Sequence, residues 1–407
     1  MTELLRPAAE WELQSMIARL AARNQPVEIV GHGALRNAGR RTEPETVITM
    51  ASLRGVTLYE PSELVMSARA GTPLFEIEAE LASRGQMLAF EPVDLGPTTG
   101  APAGALSMGG VFATNISGAR RISAGSARDH LLGVHAINGR AEAFKSGGRV
   151  MKNVTGLDVA RGLTGSWGTL AVLTEVTFKV MPLPETLTTL VYRGLPDEFA
   201  IEALTAAMGT PFEVSGAAHL PRAVAARLGQ PKLKALGDAL TILRLENFSG
   251  AVAYRKEKLK EALKIYGTPL EVGPEESWAL WSELRTLSVM PFSKETSLWR
   301  ISTTPTKAPE IVAAIQKFTP SEAFYDWSGG LIWLEVPAAA DAGAADVRRA
   351  VAVRGGHATL IRAAPDVRAS VDVFEPMKPE VERLTRGLKT AFDPAGILNR
   401  GRMYANL

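Results

Sequence analysis

The 407 residues are enough for two or three domains, and a composition of 46% hydrophobic and 22% charged residues is typical of a globular protein. The 45 basic and 43 acidic residues leave a net charge of +2 without a Lys/Arg block, so a nucleic-acid partner is not expected. The absence of cysteine excludes disulfides, thiolate zinc sites and any iron–sulfur cluster ligated by this chain.

The hydropathy pattern indicates neither an export signal nor a membrane span. Glu3, Glu10 and Glu12 interrupt the apolar positions near the N-terminus, so no signal-peptide core is formed there. No run of residues approaches the roughly 20 apolar positions that cross a bilayer. We therefore expect a cytoplasmic protein.

The first part of the chain predicts short elements around a glycine-rich loop. Leu13, Ile17 and Leu20 recur at helical spacing, and the apolar run 27–30 ends at Gly31 as a buried strand would. Arg6-Pro7 suits the start of a helix that continues through Ala21. Periodicity and turn signals also predict strands at 27–30, 46–50 and 64–68, and a helix from 73 to 85.

Two glycine-dense stretches come next. Residues 96–125 contain seven glycines and residues 147–168 contain six, against 37 in the whole chain. Strands are predicted at 131–138 and 169–180. Pro182 follows the second of these strands and marks the end of a predicted first domain, residues 1–182.

From residue 185 onward the pattern predicts an α+β domain, residues 183–375, with helices on one face of an antiparallel sheet. The predicted strands are 186–192, 240–245, 298–303, 331–336 and 358–361. The predicted helices are 197–208, 254–266, 275–287, 309–318 and 341–353. The last segment, 376–407, predicts a helix over 379–392.

The loop 31–39 follows a predicted strand and has the composition of a phosphate-binding turn. Glycine lets backbone N–H groups approach a pyrophosphate closely and permits positive φ. A plain tight turn is the alternative, because a Gly-x-Gly pair alone is a weak signal. The loop is not a Rossmann fingerprint, because Arg36 stands where the third glycine is required.

Three glycine-rich, hydroxyl-bearing segments occur within the first roughly 180 residues, each next to a predicted strand. A long dinucleotide needs several points of backbone contact, which one loop cannot supply. The motifs for NAD(P) and for nucleoside triphosphates are missing from the sequence. A flavin dinucleotide therefore fits the pattern best.

Five ordered motifs make the chain resemble a known flavoprotein family. Residues 105–118 (ALSMGGVFATNISG) closely match the signature of the vanillyl-alcohol-oxidase-type, or PCMH-type, FAD-binding domain, and residues 125–133 and 165–175 continue it. Residues 148–158 resemble the hydroxy-acid branch of that family, and residues 393–402 resemble its C-terminal flavin-side motif. The whole chain is similar to the FAD-binding E subunits of bacterial glycolate oxidases.

The resemblance implies a two-lobed PCMH-type FAD-binding domain, an α+β cap domain with an antiparallel sheet, and a C-terminal segment that returns to the FAD domain. Covalent relatives carry a histidine where Ala34 stands, so FAD is expected to be non-covalent. His32 is either a flavin contact or a solvated loop residue. The residues implied to contact FAD are Gly31, His32, Gly33, Ala34, Leu35, Arg36, Asn37, Ser107, Gly109, Gly110, Ala113, Thr114, Asn115, Gly118, Ser166, Gly168, Thr169, Val172 and Asn399.

Oxidation of a 2-hydroxy acid requires a cation for the carboxylate and a base for the hydroxyl proton. By resemblance, Arg285 is the candidate cation and His357 the candidate base; a solvated helix-face arginine and an ordinary strand-edge histidine are the alternatives. Active relatives carry a His-x-Gly-Asp-Gly-Asn-x-His run, and here Asp326 and Trp333 occupy both histidine positions. With five histidines and no pair at ligand spacing, no metal site is expected.

The resemblance also implies partner chains. They are a second, larger FAD-binding subunit and an iron–sulfur subunit of glycolate oxidase, with which this chain would oxidise glycolate to glyoxylate. Any association with the inner face of the membrane would come through them. Two alternatives stay open: a non-catalytic flavoprotein that scaffolds the complex or relays electrons, and a self-sufficient oxidase for another alcohol.

Overall fold

The structure, a computed structural model, describes residues 2–150 and 156–407. Its strands are β1 (Glu3–Leu5), β2 (Val27–Val30), β3 (Thr46–Thr49), β4 (Val56–Glu60), β5 (Val65–Arg69), β6 (Gln86–Met87), β7 (Leu131–Asn138), β8 (Ala143–Gly147), β9 (Ala171–Lys179), β10 (Met181–Pro182), β11 (Thr186–Arg193), β12 (Val214–Leu220), β13 (Leu240–Asn247), β14 (Leu270–Val272), β15 (Thr296–Ser302), β16 (Glu322–Asp326), β17 (Leu331–Pro337) and β18 (His357–Arg362).

Its helices are α1 (Glu10–Ala22), α2 (Leu74–Ser83), α3 (Gly96–Thr99), α4 (Met108–Thr114), α5 (Arg121–Ala124), α6 (Ala127–His130), α7 (Val159–Leu163), α8 (Asp197–Met208), α9 (Arg222–Ala225), α10 (Pro231–Lys234), α11 (Ser249–Ala262), α12 (Pro274–Arg285), α13 (Ala308–Gln316), α14 (Ala344–Arg354), α15 (Pro365–Ser370) and α16 (Pro379–Phe392). In the described ranges, no helix is long and apolar enough to cross a membrane.

Most of the predicted elements are confirmed, and β2, β7, α8 and α16 have the predicted bounds. The pattern missed β12, whose seven residues are all buried. Gly216 and two alanines give this strand little β-propensity of its own. Its position between β13 and β16 therefore decides its conformation.

The described chain forms two compact units. The first runs up to Ser117, then from Gly125 to Leu183 and from Asp372 to Leu407; the second consists of Gly118–Ala124 and Pro184–Val371. The predicted domain boundaries were residues 182 and 375. No sequence signal indicated that residues 118–124 belong to the second unit. Within the second unit, Gly118 O accepts a hydrogen bond from Trp327 Nε1 at 2.9 Å, and Arg120 forms a buried ion pair with Glu246.

The first unit has two lobes, each with its own sheet and core. One lobe is the parallel sheet β1-β3-β2, which shares a core with α1. The other is the antiparallel sheet β4-β5-β9-β7-β8, against which α2 and α4 pack their apolar residues. The fold is therefore α+β, as the sequence predicted.

The C-terminal segment adds a further chain to the edge of β2. The N–H of Val27 donates to Ile397 O at 2.9 Å, and the N–H of Asn399 donates to Val27 O at 3.0 Å. These bonds align residues 397–399 parallel to β2. The last residues of the chain thereby become part of the lobe formed by its first residues.

The second unit is built on one eight-stranded antiparallel sheet, in the order β14-β11-β13-β12-β16-β17-β15-β18. The prediction that all its helices lie on one face is wrong. Asp197 of α8 contacts His219 on β12, whereas Trp281 of α12 packs against Gly216 on the same strand. Gly216 and His219 are three residues apart, and alternate strand residues point to opposite faces, so α8 and α12 cover opposite faces.

Candidate functional site

A pocket lies within the first unit. Its volume is about 760 Å³, including the part that is open to solvent. The walls are the end of β2 with the loop after it, residues 105–114, residues 167–173, and two side chains from the C-terminal segment. The predicted glycine segments thus converge on one place. Their convergence depends on chain segments that are far apart in sequence.

The loop after β2 approaches residues 105–114 too closely for a side chain. A Cβ on Gly31 would lie 2.2 Å from Ser107 Oγ, a distance that real Cβ atoms do not show. Gly33 has a φ of 88°, in the left-handed region that favours glycine. His32 lines the pocket, and its Nε2 donates to Gly71 O at 2.8 Å.

Helix α4 forms a second wall, and most of its polar groups are already bonded within the protein. The N–H of Gly109 donates to Ala70 O at 2.7 Å, and the N–H of Gly110 donates to Ser107 Oγ at 3.3 Å. The hydroxyl of Thr114 donates to Gly110 O at 2.7 Å. This wall therefore offers small side chains and backbone surface, and Gly109 is needed for its contact with Ala70.

Asn399 connects two walls of the pocket through its side-chain amide. Its Oδ1 accepts from the N–H of Ile29 at 2.7 Å, and its Nδ2 donates to Trp167 O at 2.7 Å. A Cβ on Gly168 would lie 2.8 Å from Nδ2 of Asn399. The glycine segment 165–168 is thus shaped to fit this amide.

Arg402 holds the loop 31–39 from the other side. Its guanidinium donates to the carbonyl oxygens of Leu35 and, at 3.3 Å, of Arg36 and Arg40. Its Nη1 also lies 3.8 Å from Glu28 Oε1. Five donors in a rigid fork suit this multiple contact with backbone carbonyls.

A buried ion pair fixes the C-terminal segment that carries these two side chains. Lys389 Nζ lies 2.7 Å from Asp393 Oδ2 and also donates to Thr169 O at 2.7 Å. Burial lowers the pKa of Lys389, although the carboxylate of Asp393 opposes that shift. Asp393 in turn accepts the N–H groups of Ile397 and Leu398 at 3.1 and 2.8 Å.

The structure brings most of the proposed FAD contacts together. The predicted residues that line the pocket are Gly31, His32, Gly33, Ala34, Leu35, Arg36, Ser107, Gly109, Gly110, Ala113, Thr114, Gly168, Val172 and Asn399. The predicted residues outside its lining are Asn37, Asn115, Gly118, Ser166 and Thr169. Asn37 donates to Thr99 O at 3.0 Å, and Gly118 belongs to the second unit.

Sequence reasoning missed ten of the lining residues. They are Ile29, Val30, Met50, Ala70, Ala105, Leu106, Trp167, Ala171, Leu173 and Arg402. Six of them lie inside motifs quoted above and could have been chosen from those motifs: Ala105, Leu106, Trp167, Ala171, Leu173 and Arg402. The others are apolar residues that look like ordinary core in the sequence.

The walls of the pocket can accept an anion. Among the described residues that line it are two arginines, Arg36 and Arg402, and no acidic side chain. Glu28, outside the lining, pairs with Arg36 at 2.6 Å and lies 3.8 Å from Arg402, so these three side chains leave one net positive charge. A close backbone approach at Gly31 and the guanidinium donors are what a diphosphate requires. The mainly apolar remainder suits an aromatic ring system. The pocket therefore fits FAD.

The two catalytic candidates belong to the second unit and do not line this pocket. Arg285 is the last residue of α12 and is half-buried, whereas His357 is the exposed first residue of the edge strand β18. Within residues 2–150 and 156–407, no three His, Asp or Glu side chains are grouped to hold a metal ion. Part of the motif 148–158 lies outside the described residues.

The comparisons with known proteins agree with this geometry. A family model described as FAD binding domain matches residues 2–147. The chain is 34% identical over 382 residues to the glycolate oxidase subunit GlcE of Escherichia coli (strain K12), covering 94% of this chain and 93% of that protein. It is 25% identical over 397 residues to the glycolate oxidase subunit GlcD of Bacillus subtilis (strain 168), covering 89% and 80%.

A solved structure of p-cresol methylhydroxylase with substrate bound has the same fold. Its TM-score is 0.74 at 12% identity, and the match covers 99% of this chain and 88% of that one. This likeness places the described chain in the PCMH-type fold. Together with the similarity to GlcE over nearly the full length, it shows that the chain belongs to the family of FAD-linked oxidoreductases formed by the glycolate oxidase GlcE subunits.

Proposed function

We propose that this chain binds FAD non-covalently and takes part, as one subunit of a complex, in oxidising glycolate to glyoxylate. The observation that carries the proposal is the glycine-walled pocket with two arginines, formed by a chain similar to GlcE over 94% of its length. Bound FAD would take up the two electrons released when the 2-hydroxy group becomes a carbonyl.

Non-covalent binding is supported by the side chains that line the pocket. Ala34 carries no nucleophile, and the described lining contains no tyrosine. His32 is the one histidine in that lining, and its Nε2 is engaged by Gly71 O. Acid precipitation of the yellow protein tests this point: FAD should remain in the supernatant, and a flavin retained in the pellet would contradict it.

Two side chains are proposed to act on the substrate. The Arg285 guanidinium would hold the carboxylate, because a planar fork of donors matches its two oxygens. The His357 imidazole would accept the hydroxyl proton. Both assignments rest on the resemblance of their surrounding motifs to those of hydroxy-acid oxidising relatives.

Partner chains are proposed to complete the reaction. They are a larger FAD-binding subunit and an iron–sulfur subunit. This sequence has no cysteine to ligate a cluster, so electrons that leave its flavin must pass to another chain or to a soluble acceptor.

A second candidate is a flavoprotein subunit that scaffolds the complex or relays electrons while the larger subunit performs the chemistry. This candidate is favoured by the two positions at which active relatives carry histidine and this chain carries Asp326 and Trp333. Asp326 is 5% exposed and Trp333 is 2% exposed, so both are core positions of the second unit. Neither supplies the imidazoles that active relatives carry there.

Anaerobic reduction of the purified, FAD-loaded chain separates the two candidates. If this flavin meets the substrate, glycolate should bleach the flavin absorbance of the chain alone. If the chain only scaffolds or relays, bleaching should require the partner subunits. A correctly folded chain that takes up no FAD would contradict both.

A further inference from the structure

An indole side chain forms part of the wall of the pocket in the first unit. Trp167 lies in the turn between α7 and β9 and lines the pocket together with Gly168. Its Cζ3 would lie 3.4 Å from a Cβ on Gly39, and the same Cβ would lie 3.1 Å from Nε of Arg402. The indole and this guanidinium are therefore neighbours beside the loop 31–39.

The backbone at Trp167 is held in a conformation that large side chains rarely adopt. Its φ is 55°, in the left-handed region, where a bulky residue is disfavoured relative to glycine. Its N–H donates to Ala113 O at 2.8 Å, and its carbonyl oxygen accepts from Asn399 Nδ2 at 2.7 Å. Both bonds use only the backbone of residue 167, so a glycine could make them as well. The presence of tryptophan at such a position indicates that the indole itself has a function.

The indole is supported by other aromatic side chains of the first unit. The ring centroids of Trp167 and Phe374 are 5.2 Å apart, with an angle of 81° between the ring planes. Phe374 in turn contacts Tyr404 with a centroid distance of 6.0 Å. Edge-to-face and tilted pairs of this kind favour a defined orientation of each ring. The indole is therefore a pre-oriented aromatic surface in a pocket that fits a dinucleotide.

The start of β9 adds polar backbone groups to the same pocket. Strand β5 pairs with β9 from Glu175 to Lys179, whereas Ala171, Val172 and Leu173 line the pocket. These three residues pair with β7 on one side, and no further strand in the described chain pairs with them. A strand edge of this kind presents N–H donors and carbonyl acceptors. Such groups can bond the amino group and the ring nitrogens of a purine.

We propose that Trp167 stacks on the adenine of FAD and so holds the adenosine half of the cofactor. The inference rests on the proposed function, because it takes the ligand of the pocket to be FAD. The hydrogen-bonded and stacked neighbours of Trp167 named above all belong to the first unit. They suit the adenine better than the isoalloxazine, because only the isoalloxazine has to meet a substrate.

Calorimetric titration of the full-length apoprotein with ADP tests the site, because ADP contains the adenosine diphosphate of FAD without the flavin. We expect Trp167→Ala to weaken ADP binding about five- to 150-fold, the range that stacking of a base on an aromatic side chain contributes. Trp167→Phe should retain more of the affinity than Trp167→Leu, because phenylalanine keeps an aromatic face. The affinity for FMN, which lacks the adenosine, should not change in these variants.

The fluorescence of the indole gives a second measurement. ADP should quench part of the tryptophan emission of the wild type, and Trp167→Phe should abolish this quenching. Trp11→Phe is the matched control, since Trp11 is 67% exposed on α1 of the same unit and lies outside the pocket lining. Quenching should persist in this control.

A Trp167→Ala protein with wild-type affinity for ADP, or quenching that persists in Trp167→Phe, would overturn the proposal. A loss of FMN affinity without a loss of ADP affinity would also overturn it, because the indole would then contact the isoalloxazine. Should Trp167→Ala fail to fold, as judged by circular dichroism, Trp167→Leu takes its place. Wild-type protein that binds FAD but not ADP refutes this inference alone, whereas wild-type protein that binds neither refutes the proposed function.

Discussion

Gly31 and Ser107 meet so closely that a single methyl group would separate them. A Cβ on Gly31 would lie 2.2 Å from Ser107 Oγ and 3.0 Å from Ser107 Cβ. Ser107 also caps α4, because its Oγ accepts the N–H of Gly110. The contact therefore sets the distance between the two walls of the flavin pocket.

Gly31→Ala should sharply reduce FAD occupancy, because the new methyl group must push residues 105–114 away from the loop. The measurement is the flavin-to-protein absorbance ratio after purification. Gly387→Ala is the control: a Cβ there meets nothing within 4 Å, and alanine in a helix is favoured by roughly 0.5–1 kcal/mol. A Gly31→Ala protein with full flavin content would contradict the role of this contact.

Asn399→Ala should weaken FAD binding by about 1–3 kcal/mol, because it leaves the N–H of Ile29 and the carbonyl of Trp167 without partners. Asn399→Asp should weaken FAD binding at least as much, since it keeps the acceptor for Ile29 but turns a buried carboxylate oxygen toward the carbonyl oxygen of Trp167. Titration of the apoprotein with FAD, followed by quenching of flavin fluorescence, measures both. Equal affinities for all three proteins would show that the bridge does not position the pocket walls.

Lys389→Met should lower the free energy of unfolding by about 3–5 kcal/mol, since it leaves Asp393 buried without its counter-ion. Arg386→Gln on the same helix removes an exposed pair with Glu382 and should change stability by less than about 1 kcal/mol. Urea denaturation followed by tryptophan fluorescence compares the two. A Lys389→Met protein as stable as the control would mean that the C-terminal segment is anchored elsewhere.

The second unit should lose stability in acid through Asp197. Burial alone would raise the pKa of Asp197, but hydrogen bonds from His219 and Tyr325 outweigh it, and the pKa is lowered. A depressed pKa contributes stability that is fully present above the ordinary aspartate pKa of 3.8 and is lost as the pH falls through the folded-state pKa.

Tyr325→Phe should make this acid loss smaller, because it removes one of the bonds that depress the pKa of Asp197. Tyr192→Phe is the control, because the Tyr192 hydroxyl is buried without a partner in the described chain, and its pKa is raised to about 12. The difference between thermal unfolding midpoints at pH 7 and pH 3 measures the effect. Identical differences for wild type and Tyr325→Phe would exclude Asp197 as the source.

Local sequence patterns predicted many elements of the first unit, although not β1, β4 or β8, and they predicted the chemistry of its pocket. Glycines such as 31 and 33 and the alternating residues of β9 are local signals. Such signals can be recognised in the sequence without knowing the fold. The same holds for the helix α16, whose bounds were predicted correctly. The absence of cysteine likewise excludes an iron–sulfur cluster ligated by this chain, because composition does not depend on the fold.

Which side chains meet depends on the folded structure. Asn399 accepts a hydrogen bond from Ile29, which lies 370 positions away in the sequence. Arg121 and Arg300 both stack on Trp327, and no periodicity in the sequence predicts that they come together. Such contacts depend on the packing of whole sheets, because a hydrogen bond or a stacked cation is set by distance in space. Spacing along the chain carries no information about that distance once the segments belong to different elements.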